Sequence, residues 1–310
     1  MQIQTFKIFC DLADSSSFSR AAEINGITQS AVSQQVRGTE ERLGVKLIER
    51  GRRNFSLTPE GRAFLEASRD IVSIMENLEA KIQELKHVVA GELRVATIFS
   101  IGLHELPPCL KDFRHTFPMV DVRVEYRRST EVYTAVLEGR ADVGLVAYPS
   151  ERRGLTATTF WRDKLKLICA PGHRFASRRK IALKALDGEK FIAFEPDLPT
   201  RREVDRRLKD AGVGVKMILE FDNIETVKRA VMVENGVSIV PETAVEDEVE
   251  SGSLAAIEIE GADMWRPLGA LVRNAARISP ALREFLERLG QFERLRTPQS
   301  AATDRKTRKK

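Results

Sequence analysis

The chain has 310 residues, of which 42% are hydrophobic and 31% charged, a composition that fits two or three packed domains and excludes wholesale disorder. Its net charge is +5, but residues 294–310 alone contribute +6. The preceding residues therefore sum to −1, and overall basicity is no argument for a nucleic-acid partner.

Several features indicate a protein of the cytoplasm. No apolar run approaches the ~18 residues that span a bilayer, and the first twenty residues lack the pattern of a secretory signal. Cys10, Cys109 and Cys169 are far apart, without a CxxC pair or zinc spacing. We expect reduced core thiols, no metal site and no cofactor. The Pro/Ser/Thr/Lys composition of residues 295–310 predicts a disordered basic tail.

The first residues predict three helices. The segment "IQTFKIFCDLAD" places apolar residues on one helical face. Ser17 can cap the next helix, "FSRAAEIN", which the Asn25-Gly26 pair ends because glycine tolerates the left-handed conformation. Thr28 then caps a helix that begins at Gln29 or Ser30. Helix, short glycine-containing turn and helix form a helix-turn-helix pattern.

The third helix has two unlike faces. Val32, Val36, Thr39 and Leu43 share one face, and the opposite face carries amides, hydroxyls and a guanidinium. The following segment, "VKLIERGRRNFSLT", predicts two short strands around a basic turn, Gly51 to Asn54, which completes a winged helix. A polar helix face is usually only solvated, but this context favours contact with base edges and phosphates. The predicted DNA-binding residues are Thr28, Gln29, Ser30, Ser33, Gln34, Arg37, Arg52 and Arg53.

These motifs resemble the DNA-binding domain of the LysR-type transcriptional regulators. The resemblance rests on "FSRAAEINGITQSAVSQQVRGTEERLGVKLIERGRRNFSLTPEG" and extends over roughly residues 1 to 294. The chain departs from the family pattern at Ser30, where proline is common, at Gln34, where arginine is common, and at Ile48, where phenylalanine is common. The change at Gln34 bears on which base or phosphate this helix reaches.

A long helix follows the winged helix. Thr58 is a capping residue and Pro59 suits the first helical position, and the helical pattern continues to about Val88. One apolar stripe on so long a helix needs a partner, and its spacing resembles a coiled-coil seam. We therefore predict a homodimer or homotetramer, which the family resemblance also implies. The predicted dimerisation residues are Phe64, Ala67, Ile71, Ile74, Leu78, Ile82 and Leu85.

From Gly91 onward, strand patterns alternate with helix patterns, which predicts an α/β chain with mostly parallel sheets. Segments "TATTFW" and "KLKLICA" are two of ten predicted strands. The resemblance implies two α/β subdomains joined by two crossovers, like a periplasmic binding protein. The predicted organisation is a winged helix-turn-helix domain (1–58), a linker helix (59–88) and an effector-binding domain (91–294), divided into subdomain one (91–162 plus 267–294) and subdomain two (163–266).

Ligands of open α/β sheets bind beyond the carboxyl ends of strands. Ser100 and Thr130 stand at predicted helix starts, where N–H groups favour an anion, and Arg201 adds a positive charge. Each hydroxyl taken alone is as well explained by helix capping. Reading the strand ends gives as predicted effector-binding residues Thr97, Ser100, Ile101, Ser129, Thr130, Ala147, Phe194, Glu195, Thr200, Arg201, Asn223 and Val240.

These patterns predict a sequence-specific regulator of transcription controlled by a small, anionic effector. Its expected partners are double-stranded DNA and the effector, with RNA polymerase implied by the resemblance alone and no membrane. The sequence contains no GxSxG, HExxH, P-loop or GxGxxG motif, and we predict no catalytic residues. Two alternatives remain open: a ligand-independent DNA-binding protein, and an α/β enzyme with a DNA-binding appendage.

Overall fold

The structure, a computed structural model, describes residues 1–50, 55–261, 264–274 and 278–291. The predicted wing tip with Arg52 and Arg53, and the predicted basic tail, lie outside the described residues.

The N-terminal unit consists of α1 (Ile3–Ser15), α2 (Phe18–Asn25), α3 (Gln29–Leu43), and a hairpin of β1 (Ile48–Arg50) and β2 (Phe55–Leu57). The predicted caps are confirmed: Ser17 accepts from the Arg20 N–H, Thr28 from the Ala31 N–H, and Gly26 is left-handed with φ of 62°. Val32 and Val36 are buried in the core of this unit, whereas Leu43, at the end of the same helix face, is exposed.

Helix α4 (Pro59–Glu84) leads out of this unit and ends four residues before the predicted limit at Val88. Thr58 caps it by accepting from the Gly61 N–H, as predicted. Phe64 packs back onto Phe6 and Phe9 of α1, with ring centroids 5.8 and 4.9 Å away. Its place on the predicted intermolecular seam was therefore wrong, because its ring belongs to the core of its own domain.

The remaining elements form an α/β pair of subdomains. Their strands are β3 (Gly91–Thr97), β4 (Val120–Tyr126), β5 (Val143–Ala147), β6 (Leu155–Cys169), β7 (Lys180–Ala182), β8 (Lys190–Phe194), β9 (Lys216–Phe221), β10 (Val237–Pro241), β11 (Ala255–Glu260) and β12 (Trp265–Arg273). Their helices are α5 (Leu106–Thr116), α6 (Ser129–Leu137), α7 (Pro199–Asp210), α8 (Ile224–Glu234), α9 (Glu246–Glu250) and α10 (Pro280–Gly290). A π-helical turn, Ile101–Glu105, precedes α5, and a 3-10 turn, Glu242–Val245, precedes α9.

Two long strands connect the subdomains. The predicted strands "TATTFW" and "KLKLICA" are one strand, β6, whose first half pairs with β12 and whose second half pairs with β10 and β11. Strands β3, β4 and β5 are parallel, as are β8, β9 and β10, but β6 and β12 run antiparallel to their neighbours. The sheet is therefore mixed rather than mostly parallel, because the two strands that connect the subdomains, β6 and β12, lie in its middle.

Separate hydrophobic cores fill the two subdomains. Cys109 and Cys169 are buried and Cys10 is half-buried, and all three are free thiols. Burial raises the pKa of Cys10 and Cys109 to about 12 and that of Cys169 to about 11. These thiols therefore resist ionisation.

Within the described parts of the chain, no helix combines the length and apolarity needed to cross a membrane.

Candidate functional site: an exposed helix face and an interdomain cavity

Helix α3 presents a polar face to solvent. Gln29, Ser30, Gln34 and Arg37 are exposed and Ser33 is half-buried. The Gln29 amide Nε2 donates to the Ser33 Oγ at 3.3 Å, so these two side chains lie side by side. The predicted face therefore projects amides, hydroxyls and one guanidinium away from the core, as base-edge contact requires.

Thr28 has a structural role on this face. Its Oγ1 accepts from the Ala31 N–H at 3.2 Å and lies 2.9 Å from the Ser30 Oγ. The hydroxyl satisfies one of the free N–H groups of the helix start. Thr28 is also exposed, so part of its side chain stays accessible to solvent.

The predicted stripe on α4 is exposed beyond Phe64. Ile74 is 52% exposed, Leu78 51% and Ile82 47%. Ala67, Ile71 and Leu85 are exposed as well, whereas Ser68 and Ala80 on the same helix are buried. A row of large apolar side chains left in water on one helix marks an interaction surface.

A small cavity lies between the subdomains. Its volume is about 70 Å³, enough for roughly five water-sized molecules. It is lined by apolar side chains together with hydroxyl, amide and charged groups: Ile98, Phe99, Ser100, Arg127, Arg128, Ser129, Ala147, Phe194, Leu198, Pro199, Thr200, Asp222, Asn223, Ile224 and Arg266. Both subdomains contribute to these walls, so a molecule in the cavity contacts both.

Three helices begin at this cavity. Ser129 is the first residue of α6, Thr200 the second residue of α7, and Asn223 the cap of α8. A helix N-terminus carries a partial positive charge and outward-pointing N–H groups, so all three favour an anion. Helix α6 belongs to subdomain one, and α7 and α8 belong to subdomain two.

An arginine joins the subdomains at the cavity mouth. Arg128 of subdomain one lies 2.9 Å from Glu195, 3.3 Å from Asp222 and 3.5 Å from Asp197, all of subdomain two. Hydrogen bonds and charge from these carboxylates raise the pKa of Arg128, so the guanidinium stays charged. Because the group is exposed, water screens the pairing, and a ligand can compete with it.

The structure brings together about half of the predicted effector residues. Ser100, Ser129, Ala147, Phe194, Thr200 and Asn223 line the cavity. Thr97, Ile101 and Val240 do not, because their side chains are buried in the cores. Thr130 is exposed on α6 outside the lining, and Glu195 stands at the mouth, paired with Arg128.

Arg201 is placed differently from the prediction. Its guanidinium donates to the Phe194 carbonyl, Glu220 and Asp205 at 2.5 to 2.9 Å and does not line the cavity. The arginines that do line it are Arg127, Arg128 and Arg266. None of these three arginines is among the effector-binding residues predicted from the sequence.

Larger clefts lie between α4 and subdomain one, with volumes of about 340 and 490 Å³. Three arginines on their walls are paired within the chain: Arg94 with Asp142 at 2.8 Å, Arg273 with Asp70 at 2.6 Å, and Arg69 with Asp14. In the smaller cavity, by contrast, three helix N-termini and both subdomains meet.

Known proteins resemble the chain along most of its length. Residues 3–62 match the model of the bacterial regulatory helix-turn-helix protein, lysR family, and residues 86–293 match the LysR substrate binding domain. The transcriptional activator CmpR of Synechocystis sp. is 27% identical, over 93% of this chain and 94% of that protein. The transcriptional regulator CysL of Bacillus subtilis is 26% identical, over 86% and 90%.

Solved structures share the fold. A full-length variant of OxyR from Pseudomonas aeruginosa is 21% identical with a TM-score of 0.77, and the match covers 95% of each chain. The full-length regulator CbnR, in complex with its target DNA, is 22% identical with a TM-score of 0.66, over 94% of this chain and all of that one. The matched families and relatives are transcriptional regulators, not enzymes.

Proposed function

The chain belongs to the LysR family of bacterial transcriptional regulators, and we propose that a small anionic molecule in the interdomain cavity controls how it engages DNA. It is a DNA-binding transcriptional regulator with an effector-binding domain.

The observation that carries the anion proposal is the convergence of α6, α7 and α8 on one cavity. Ser129, Thr200 and Asn223 add a hydroxyl or amide at each helix start. Behind them, Arg266 supplies a buried guanidinium, whose Nε has no hydrogen-bond partner among the described residues. Three carboxylates that would repel an anion, those of Glu195, Asp197 and Asp222, are each paired with Arg128.

The size of the cavity in this structure limits the effector. A volume of about 70 Å³ suits a molecule of a few heavy atoms, such as a short carboxylate or an oxyanion of sulfur or phosphorus. A ligand that touches both subdomains binds the closed form better than an open one. It therefore shifts the population between them, and the altered geometry reaches the DNA through α4. RNA polymerase is a further proposed partner.

For the DNA side, we propose that the exposed face of α3 reads bases and that the α4 stripe pairs two copies. Pairing would place two recognition helices at half-sites about one or more helical turns apart. Footprinting of the full chain on DNA upstream of its own gene tests this. A short protected palindrome is expected, whereas uniform protection at every sequence would contradict it.

The effector proposal is tested by thermal shift of the full chain with carboxylates, phosphorylated acids and sulfur oxyanions, against neutral sugars and amines. An anion present at a hundred times its Kd should stabilise by ~2.7 kcal/mol. Ser129→Ala should weaken that anion's binding by ~1.5–3 kcal/mol, because a charge-assisted bond is lost. The matched control, Thr130→Val, changes the next residue, outside the cavity, and should bind as the parent does.

Two results would overturn the effector proposal. One is binding of a neutral or cationic compound that Ser129→Ala leaves unchanged. The other is the absence of any shift across all classes, which would favour a ligand-independent DNA-binding protein.

A further inference from the structure

Five side chains form a hydrogen-bonded cluster behind the cavity. Arg266 of β12 donates through Nη2 to the Glu105 Oε1 at 2.6 Å and through Nη1 to the Ser100 Oγ at 2.9 Å. Asp163 of β6 lies 3.5 Å from Arg266 Nη2, opposite it in strand register. Thr243 of the 3-10 turn completes the cluster. The cluster thus joins both crossover strands, both subdomains and one wall of the cavity.

The charges of this cluster do not balance if every group ionises. Arg266, Glu105 and Asp163 are 2%, 0% and 3% exposed, so two carboxylates would share one guanidinium away from water. A net buried charge is costly.

The surrounding charged groups have other partners. Of the packed elements, the 3-10 turn carries Glu242, which lies 3.4 Å from Lys166, and the π-helical turn carries His104, which is bonded to Glu225. Strand β5 carries no charged residue. Within the described chain, Arg266 is the only cation paired with either carboxyl group.

Hydrogen-bond geometry gives a second, independent argument. The Thr243 Oγ1 lies 2.8 Å from the Glu105 Oε1 and 2.8 Å from the Asp163 Oδ2. A hydroxyl has one proton and can donate to only one of them. The other contact is a hydrogen bond only if that carboxyl group is protonated and donates to Thr243.

We propose that Glu105 and Asp163 hold one proton between them, and that Glu105 is a positioning residue that keeps Arg266 and Ser100 in place on the cavity wall. The single negative charge that remains on the pair neutralises Arg266. Burial away from water raises the pKa of Glu105 to about 7, a direction that agrees with a proton held by the pair. The link to ligand control rests on the proposed function, because the cavity is taken as the effector site.

A proton in this position makes effector binding depend on pH. When Glu105 ionises, the cluster acquires a net negative charge beside the cavity and disfavours an anion there. Anion affinity is therefore expected to fall as pH rises through about 7. The same ionisation strengthens the ion pairs that the two carboxylates form with Arg266. These ion pairs compete with any ligand for the guanidinium.

The first test is a set of amide variants in the full chain, followed by thermal unfolding at pH 7. Glu105→Gln copies the protonated form and should shift the Tm by no more than a few degrees. Asp163→Asn should also be tolerated, because Glu105 can then ionise beside Arg266. The double variant leaves Arg266 without a counter-charge and should lose cooperative unfolding. If each single variant is as damaging as the double one, a shared proton does not explain the cluster and the proposal is wrong.

The second test follows stability against pH. Glu105 has a raised pKa, so its contribution is complete below 4.5, the ordinary value, and is lost as pH rises to about 7. The unfolding equilibrium constant of the parent should rise relative to Glu105→Gln over this interval, on the order of a hundredfold. A constant difference between parent and variant would overturn the proposal.

Glu40 is the matched control. It is 3% exposed and accepts from the Leu47 and Ile48 N–H groups and from Lys46. Although burial opposes ionisation, these bonds lower the pKa of Glu40. Its contribution is therefore present above 4.5 and lost on acidification, so Glu40→Gln should approach the parent's stability only at low pH. None of these measurements needs an effector, so their outcome is independent of whether the effector proposal fails.

Discussion

The polar groups on the exposed face of helix α3 are close together in the sequence, whereas the groups that line the interdomain cavity are far apart. The polar face of α3 comes from residues 28–37 of a single helix, and the same helix buries Val32 and Val36 beneath it. The cavity wall is assembled from residues between Ile98 and Arg266 that lie on many elements. A local pattern suffices to describe the first surface, whereas the second exists only after both subdomains have folded together.

The two surfaces also differ in how their charges are held. The face of α3 carries amides and hydroxyls that solvent already reaches. At the cavity, Arg127, Arg128 and Arg266 each engage carboxylates of the chain itself. A ligand there must compete with contacts inside the protein, so its binding necessarily changes them. On the described part of α3, by contrast, the contacts of the polar side chains are neutral hydrogen bonds, between Gln29 and Ser33 and between Thr28 and Ser30.

The largest expected effect tests whether a second copy of the chain covers the apolar stripe of α4. Leu78→Glu introduces a carboxylate into the apolar stripe of α4, which must be desolvated or protonated if two copies pair, at a cost of several kcal/mol. Sedimentation velocity should show a smaller species. Gln83→Glu, an exposed position outside the stripe, should sediment as the parent. A Leu78→Glu protein of parental size would mean that no partner covers this stripe.

A smaller effect tests whether α4 is packed as one piece with the N-terminal unit. A Cβ at Gly61 would lie 1.9 Å from the Leu47 carbonyl oxygen, so Gly61→Ala forces the backbone apart and should cost ~1–3 kcal/mol or more. Gly38→Ala meets open space on α3 and should stabilise by up to ~1 kcal/mol. Denaturant unfolding measures both. Equal stability of the two variants would show that α4 is not tightly packed against Leu47 at Gly61.

The smallest effect concerns base reading by α3. Ser33→Ala and Gln29→Ala should each weaken operator binding by ~1–3 kcal/mol and leave binding to random DNA unchanged. Since the two side chains are hydrogen-bonded, the double variant should lose less than the sum. Fluorescence anisotropy measures the affinity of each variant for operator DNA and for random DNA. Glu41→Gln is the control on the same helix. Equal losses on operator and random DNA would mean that neither residue reads bases.

The sequence predicts more of the N-terminal unit than of the interdomain cavity. The helices of the N-terminal unit and the caps at Ser17, Thr28 and Thr58 followed from residues a few positions apart. Phe64 was misassigned because periodicity places it on the stripe, while the turn of the chain brings α1 against it. Periodicity gives the face of a helix but not the neighbour that covers it.

In the cavity, reading the strand ends gave Ser100, Ser129 and Thr200, and all three line it. It could not find Arg266, which reaches Ser100 from 166 positions away. Nor could it show that Arg201 forms ion pairs with Asp205 and Glu220. The sequence around an arginine looks the same whether its guanidinium is paired within the fold or free to bind a ligand. The number of charges was readable from the sequence, but their pairing was not.

The most direct test of anion control at the cavity is hydrogen–deuterium exchange of the full chain, with and without the anion that raises its Tm most. We expect that anion to slow exchange at the first turns of α6, α7 and α8 together, in both subdomains, and that Ser129→Ala reduces this protection. Protection confined to residues around α4, or to a single subdomain, would contradict a ligand that closes the two subdomains on one another.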